Sequence, residues 1–200
     1  MIPGVRRSTA WLSHCGTYRY RLDRELDVDV EVEVVRPARV TIDTRVTFLM
    51  LNPSTADDQV NDPTVAKCCK YAATWGYRHL CVVNLFALRS TDPEFLYSHH
   101  EPIGQSNDRA ISDALWASDM VVCAWGTHGA HLDRGRQIAR QIVQTGPEAV
   151  ARLHVLKLCK DGQPGHPLYL RDSLRPRPWV EVNGFAAAEP AQSRRKGGAE

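Results

Sequence analysis

The polar residues best placed to do chemistry stand where apolar runs stop. Asn52 ends the run Val46-Thr47-Phe48-Leu49-Met50-Leu51 and opens the loop Asn52-Pro53-Ser54-Thr55-Ala56-Asp57-Asp58. Asn84 ends a second run, Leu80-Cys81-Val82-Val83, and is followed by Leu85-Phe86. Trp125-Gly126-Thr127-His128 follows a third run, and Gly165-His166-Pro167-Leu168 lies beyond a fourth, Leu153-His154-Val155-Leu156. An amide such as Asn52 or Asn84 can orient a water or read a ligand edge through paired donor and acceptor groups, but it is no strong general base. His166, between Gly165 and Pro167 in a turn-rich loop, is a poor core histidine; a neutral imidazole there can offer an N–H to developing negative charge. Asp57, Asp58 and Asp62 make the first loop acidic, which suits a base at Asp57 beside Asn52, metal binding, or solvated loop charge.

Each of these residues also has a structural use. Asn52 before a proline can close an Asx-turn. Asn84 can satisfy backbone groups at a strand end. Asp62 directly precedes Pro63, the pairing of an N-cap with a first helical proline. Trp125-Gly126 reads as a packed strand end with a tight turn, and His128 and His131 are expected to face solvent.

The elements that must hold these groups follow from periodicity. The four apolar runs suit strands covered on both faces. Between them lie helical spacings: Val65, Cys68, Cys69 and Ala72 after Pro63; Ala110, Ile111, Ala114 and Leu115 within a helix from about Asn107 to Ala117; and Leu132, Ile138, Ala139 and Ile142. This alternation predicts an α/β fold with a central, mostly parallel sheet and helices on both faces. Thr17 to Leu22 and Val28 to Val35 alternate with period two and predict an added N-terminal β-hairpin. One domain over residues 1–185, with its core at about 46–171, is followed by a tail, 186–200, low in large apolar side chains and expected to be disordered. In open α/β sheets ligands bind beyond the carboxyl ends of the strands, which selects the four loops that carry Asn52, Asn84, Trp125 and His166.

Composition narrows the class but not the activity. The chain has 200 residues, 43% apolar and 24% charged, with a net charge of +2, as enzymes and binding modules alike do. Its six cysteines contain no C-x-x-C pair, and Cys68 and Cys69 are adjacent, so reduced core thiols are expected rather than metal ligands. No run reaches the roughly 18 apolar residues of a membrane span, and Ser13, His14 and Arg19 interrupt any secretory apolar region. The expectation is a cytoplasmic monomer without cofactor or membrane partner. Lys157, Lys160, Arg171 and Arg175 form a candidate phosphate-facing rim.

The segments Leu-Asn-Pro-Ser-Thr-Ala-Asp, Asn-Leu-Phe-Ala and His-Pro-Leu-Tyr-Leu resemble a bacterial and phage domain-of-unknown-function family, number 1643, over about Phe48 to Leu170. More distantly, Leu-Asn-Pro-Ser, Val-Val-Asn-Leu, Val-Val-Cys-Ala-Trp-Gly-Thr-His and the His-Pro-Leu segment resemble, in order, the motif series of the uracil-DNA glycosylase superfamily. That second resemblance implies a three-layer α/β/α fold and cleavage of the N-glycosidic bond of a uracil-like or modified base in DNA, or else in a free nucleoside or nucleotide. A non-catalytic nucleotide or nucleic-acid binding module is the other class that fits. Under the resemblance Asn52 positions water; Asp57 beside it, in an acidic cluster the superfamily does not require, is a candidate base read from the loop alone. His166 meets the charge of the leaving base, and Asn84 reads a pyrimidine edge. Trp75 or Tyr77 supplies a stacking face, and Ser54 and Phe86 complete the substrate contacts. The chain departs from the superfamily at Leu168-Tyr169-Leu170, where a duplex wedge would stand, and in its acidic loop.

Overall fold

A computed structural model describes residues 2–28 and 43–182 of the protein. Seven strands form one sheet: β1 (Val5–Leu12), β2 (Arg19–Leu26), β3 (Arg45–Met50), β4 (His79–Asn84), β5 (Met120–Cys123), β6 (Leu153–Val155) and β7 (Arg177–Pro178). The order across the sheet is β1-β2-β4-β3-β5-β6-β7. The four apolar runs are its parallel centre, β4-β3-β5-β6, while β1, β2 and β7 join antiparallel. The sheet is therefore mixed rather than mostly parallel, because the hairpin and the short last strand extend a parallel core at both edges.

Continuous apolar runs are required at the centre because both faces are covered. Phe48, Met50, Val82 and Val122 point into one cluster with Val65, Cys68, Tyr71 and Ala72 of helix α1 (Pro63–Thr74). Leu49, Cys81, Val121 and Cys123 point into another. There they meet Ile111 and Ala114 of the helix Asn107–Trp116 and Ile138 and Ile142 of the helix Arg134–Thr145. Counting the short helix α2 (Phe95–Ser98), these last two are α3 and α4, and α5 (Pro147–Ala151) follows. The period-two alternation of each strand thus feeds two separate cores.

The N-terminal hairpin exists, but from a different pairing than its sequence pattern suggests. Val5–Leu12 pairs with Arg19–Leu26, so the stretch expected as the first arm is the second. Strand β1 is an edge strand with partly or fully exposed side chains, half of them polar, and its charged residues protect an edge rather than build a core. The expected arm from Val28 to Val35, apart from Val28 itself, and the tail 186–200 lie outside the described residues. Leu132 does not join the α4 face: it is 53% exposed with a left-handed φ of 51° in the 3₁₀ segment before the helix. Cys68, Cys81 and Cys123 are buried core thiols as expected, whereas Cys15 is exposed in the β1–β2 connection.

The strand order creates one topological switch. From β3 the chain crosses through α1 to β4 on one side, and from β5 it crosses through α4 to β6 on the other. Because β3 and β5 are neighbours, their following loops diverge and leave a crevice between the strand ends.

Candidate functional site

At that crevice lies a cleft with a cavity volume of about 740 Å³. Asn52 and Ser54 line it from the β3 loop, Trp125 to His128 from the β5 loop, and Lys157, Lys160, Gly165 and His166 from the segment after β6. The loops after all four central strands therefore converge on one space, the β4 loop through Ser90, Thr91 and Pro93 rather than through Asn84, Leu85 and Phe86. A smaller groove of about 130 Å³, between α3 and α4, lies on a helical face away from the strand ends. The larger cleft is the one to which the sheet topology brings polar groups.

Asn52 is held by the backbone rather than by an Asx-turn. Its Nδ2 donates to the carbonyls of Ser90 at 2.9 Å and Pro53 at 3.1 Å, with the Leu88 carbonyl at 3.5 Å, so it clasps the β3 loop to the β4 loop. The Ser90 N–H donates back to the Pro53 carbonyl at 2.8 Å. Both amide protons are thereby spent. What Asn52 retains for a ligand is the acceptor Oδ1.

His166 is brought to the cleft by a backbone tie between the β5 loop and the segment that carries it. Gly126 has φ 74° and donates to the Pro164 carbonyl at 2.7 Å, and the only atom near a Cβ built on it is His166 Cβ at 3.6 Å. Burial pulls the His166 imidazole down to about 4, against a weaker upward pull from Asp62, so the ring is neutral at neutral pH. Its Nδ1 is buried without a hydrogen-bond partner. The following residues, Leu168 and Tyr169, are 37% and 84% exposed at the cleft rim, and the Tyr169 ring stands 5.7 Å from the imidazole.

The acidic residues are placed for structural work. Asp62 caps α1, accepting from the Val65 N–H at 2.8 Å, as its position before Pro63 predicts. Asp57 does not line the cleft; its Oδ1 accepts from the N–H groups of Gln59 at 2.8 Å and Val60 at 3.0 Å, which holds its carboxyl below the usual range. Asp58 is exposed. The loop carrying them is anchored by two buried arginines of β2. Arg19 donates to the Ala56 carbonyl, and Arg24 to the Asp57 carbonyl, Asn61 Oδ1 and Ser8 Oγ.

Four other expected contacts are absent from the cleft. Asn84 is fully buried with both amide atoms lacking a partner. Its segment is pinned into the core below the cleft: Asn107 Nδ2 donates to the Asn84 and Leu85 carbonyls at 3.0 and 2.9 Å, and Arg134 Nε to the Leu85 carbonyl at 3.0 Å. Phe86 is fully buried beside the His131 ring. Trp75 stacks on Phe48 and Tyr71, and Tyr77 packs against the same cluster. Both precede β4, and in a parallel sheet that places them at the opposite rim from Asn52.

Further cleft residues carry weaker sequence signals or none. Arg19 lines the cleft while only 1% exposed, and no local pattern marks an arginine on an alternating strand as buried. His128 also lines it, with its Nδ1 2.9 Å from the Tyr97 hydroxyl, and the His131 ring packs on Tyr97 at 4.2 Å; neither histidine is a free solvent-facing group. Trp125 is a packed strand end, its Nε1 donating to Gln163 Oε1 at 2.7 Å. Of the expected basic rim, Lys157 and Lys160 line the cleft; Arg175 donates to the Thr74 carbonyl at the far end of α1. Among the described residues no three His, Cys, Asp or Glu side chains are grouped to hold a metal ion, and no helix is long and apolar enough to cross a membrane.

The model of a family described as Protein of unknown function (DUF1643) matches residues 19–168, and the chain belongs to that family. No curated protein and no solved structure matches it.

Proposed function

We propose that this member of the DUF1643 family is an N-glycosidase acting on a uracil-like or modified base in DNA, built on a uracil-DNA-glycosylase-like arrangement of its sheet and helices. The observation that carries this reading is the meeting of Asn52 and His166 in one cleft at the switch point, each tuned for a different task. Asn52, its amide protons held by carbonyls, offers Oδ1 to accept a hydrogen bond from a water and so aim it at the anomeric carbon. His166, kept neutral by burial, meets the departing base. Water oxygen forms a bond to C1′ as the C1′–N bond breaks; the bonding pair leaves with the base, and the water proton is lost to solvent or to the base nitrogen.

An amide does not remove that proton in the transition state, so the sugar must already carry much oxocarbenium character when water adds. Stabilising the leaving base then matters more than activating the nucleophile. Tyr169, exposed at the rim beside His166, supplies the stacking face in place of Trp75 and Tyr77.

The decisive test incubates the full chain with oligonucleotides and mononucleotides carrying uracil and a panel of modified bases, with free base read by mass spectrometry. Release is expected, and Asn52→Ala should lower kcat by roughly a hundredfold or more, the scale of losing one pre-placed polar group. Tight nucleotide binding without release from any substrate would make the protein a binding module instead.

A further inference from the structure

Arg19 and Arg24 leave the same strand and are equally buried, at 1% exposure each, yet their guanidinium groups are satisfied very differently. All three nitrogens of Arg24 have acceptors: Nε uses Asn61 Oδ1, Nη1 uses Ser8 Oγ, and Nη2 uses the Asp57 carbonyl. Arg19 makes one hydrogen bond, from Nη1 to the Ala56 carbonyl at 2.6 Å, and its Nε is buried with no partner. Among the described residues no carboxylate lies within ion-pair distance of it. Asp62 shares the cleft and favours the charged guanidinium from beyond ion-pair distance, while its Oδ1 caps α1. A guanidinium has five N–H donors in a planar fork; here Nε is buried unpaired and Nη2 has no protein acceptor among the described residues, an arrangement an anion would complete.

The two arginines also differ in what they face. Arg19 lines the cleft and Arg24 does not. Lys157 and Lys160, both exposed, add positive charge from the β6 side of the cleft, and Ser54 and Thr64 line it from the connection between β3 and α1. At the α1 N-terminus Pro63 has no N–H and the Val65 N–H is taken by Asp62, which leaves the Thr64 N–H beside the cleft. The deeply buried, under-used cation of the lining is Arg19.

We propose that Arg19 is the receptor for a phosphate group of the ligand that fills the cleft, its planar fork taking two phosphate oxygens while Lys157 and Lys160 screen the remaining charge. The choice of phosphate over a carboxylate rests on the N-glycosidase reading, in which the ligand is a nucleotide or a nucleic-acid strand. The receptor itself needs no chemistry at the glycosidic bond. Arg19 would fix the sugar-phosphate and so set where C1′ lies relative to Asn52 and His166.

Binding of inorganic phosphate to the full chain, at constant ionic strength with chloride as the control anion, tests this by calorimetry and thermal shift. The wild type should be stabilised by phosphate. Arg19→Lys, which keeps the charge but loses the fork, should weaken phosphate binding about tenfold or more, and Lys157→Ala by only about threefold. No stabilisation of the wild type, or an Arg19→Lys affinity equal to wild type, overturns the assignment. Should Arg19 variants fail to fold, wild-type crystals soaked in phosphate decide: phosphate oxygens within hydrogen-bond distance of Arg19 Nε or Nη2 support it. Phosphate seen solely elsewhere, as an adventitious ion only, refutes it.

A uracil mononucleotide and a uracil-containing single strand then separate the sources of the phosphate. Equal competition by the mononucleotide identifies a free nucleotide, whereas competition by the strand alone identifies a backbone phosphodiester; either supports Arg19 as receptor if Arg19→Lys weakens it. Phosphate binding that depends on Arg19 without release of any base would sink the glycosidase and leave the receptor standing. Base release with KM unaltered in Arg19→Lys would do the reverse.

Discussion

At the scale of single residues, His166 ties the site to pH in a way that can be measured without a substrate. Its folded imidazole titrates at about 4, below the ordinary value of 6.5, so between those limits the unfolded chain binds the proton more tightly. Stability from this group is thus fully present above about 6.5 and is lost as the pH falls towards 4. The loss is at most on the order of 3 kcal/mol, trimmed by the partial exposure of the ring. Thermal unfolding from pH 7 to pH 4.5 should show a falling Tm, and His166→Gln should flatten that fall; an identical slope in the variant would mean that His166 is not buried neutral. Activity, if His166 serves the leaving base as a neutral group, should persist down to pH 5 rather than fade near 6.5.

Residue identity alone revealed Asn52, Ser54 and His166, because each interrupts an apolar or turn-rich pattern at a predictable rim. It misplaced Trp75 and Tyr77, which precede β4 and so sit at the amino end of a parallel strand. It also misplaced Asn84, since a strand-final amide looks the same whether it opens to a cleft or is locked under Asn107 and Arg134. Arg19 was illegible for a physical reason: its burial comes from a loop that begins more than thirty residues later in the chain and folds over it.

At the scale of elements, the β5 loop shows how tightly a rim can be packed. A Cβ on Gly129 would lie 2.0 Å from Trp125 Cδ1 and 2.6 Å from its Nε1, inside the ring that ends the strand. Gly129→Ala should therefore displace Trp125, break its bond to Gln163 and cost about 1–3 kcal/mol or more, read as a lowered denaturation midpoint. A midpoint within error of wild type would show that the loop yields freely. On the opposite side of the cleft, Asp62→Ala removes the α1 cap at a cost of about 1 kcal/mol. Helices and central strands were readable because local pattern and tertiary burial agree there. The hairpin was not, because its edge strand has a polar run, Arg6 to Thr9, in place of alternation, and its partner β2 docks on a strand, β4, far along the chain.

At the scale of the whole molecule, near-neutrality hides an uneven distribution. The chain carries 25 basic and 23 acidic residues, yet the cleft is lined by Arg19, Lys157 and Lys160 against Asp62 alone. A strand bound along that cleft should release counterions, giving a log–log dependence of affinity on salt with a slope of roughly −2 for three phosphate contacts. Affinity that ignores salt between 50 and 200 mM would point to a compact nucleotide held mainly by its base.

Arg19 belongs to β2, which pairs with the parallel core along β4 and holds the β3 loop through Arg19 and Arg24, so the receptor is mounted on the strand that ties the hairpin to the site. Every excursion that frees β2 dismantles the cleft, and a bound ligand must hold that strand in place. Slow amide exchange along β2, rather than within the central strands, then becomes the gauge of occupancy, and the rate at which this strand breathes sets an upper limit on how long any ligand can stay.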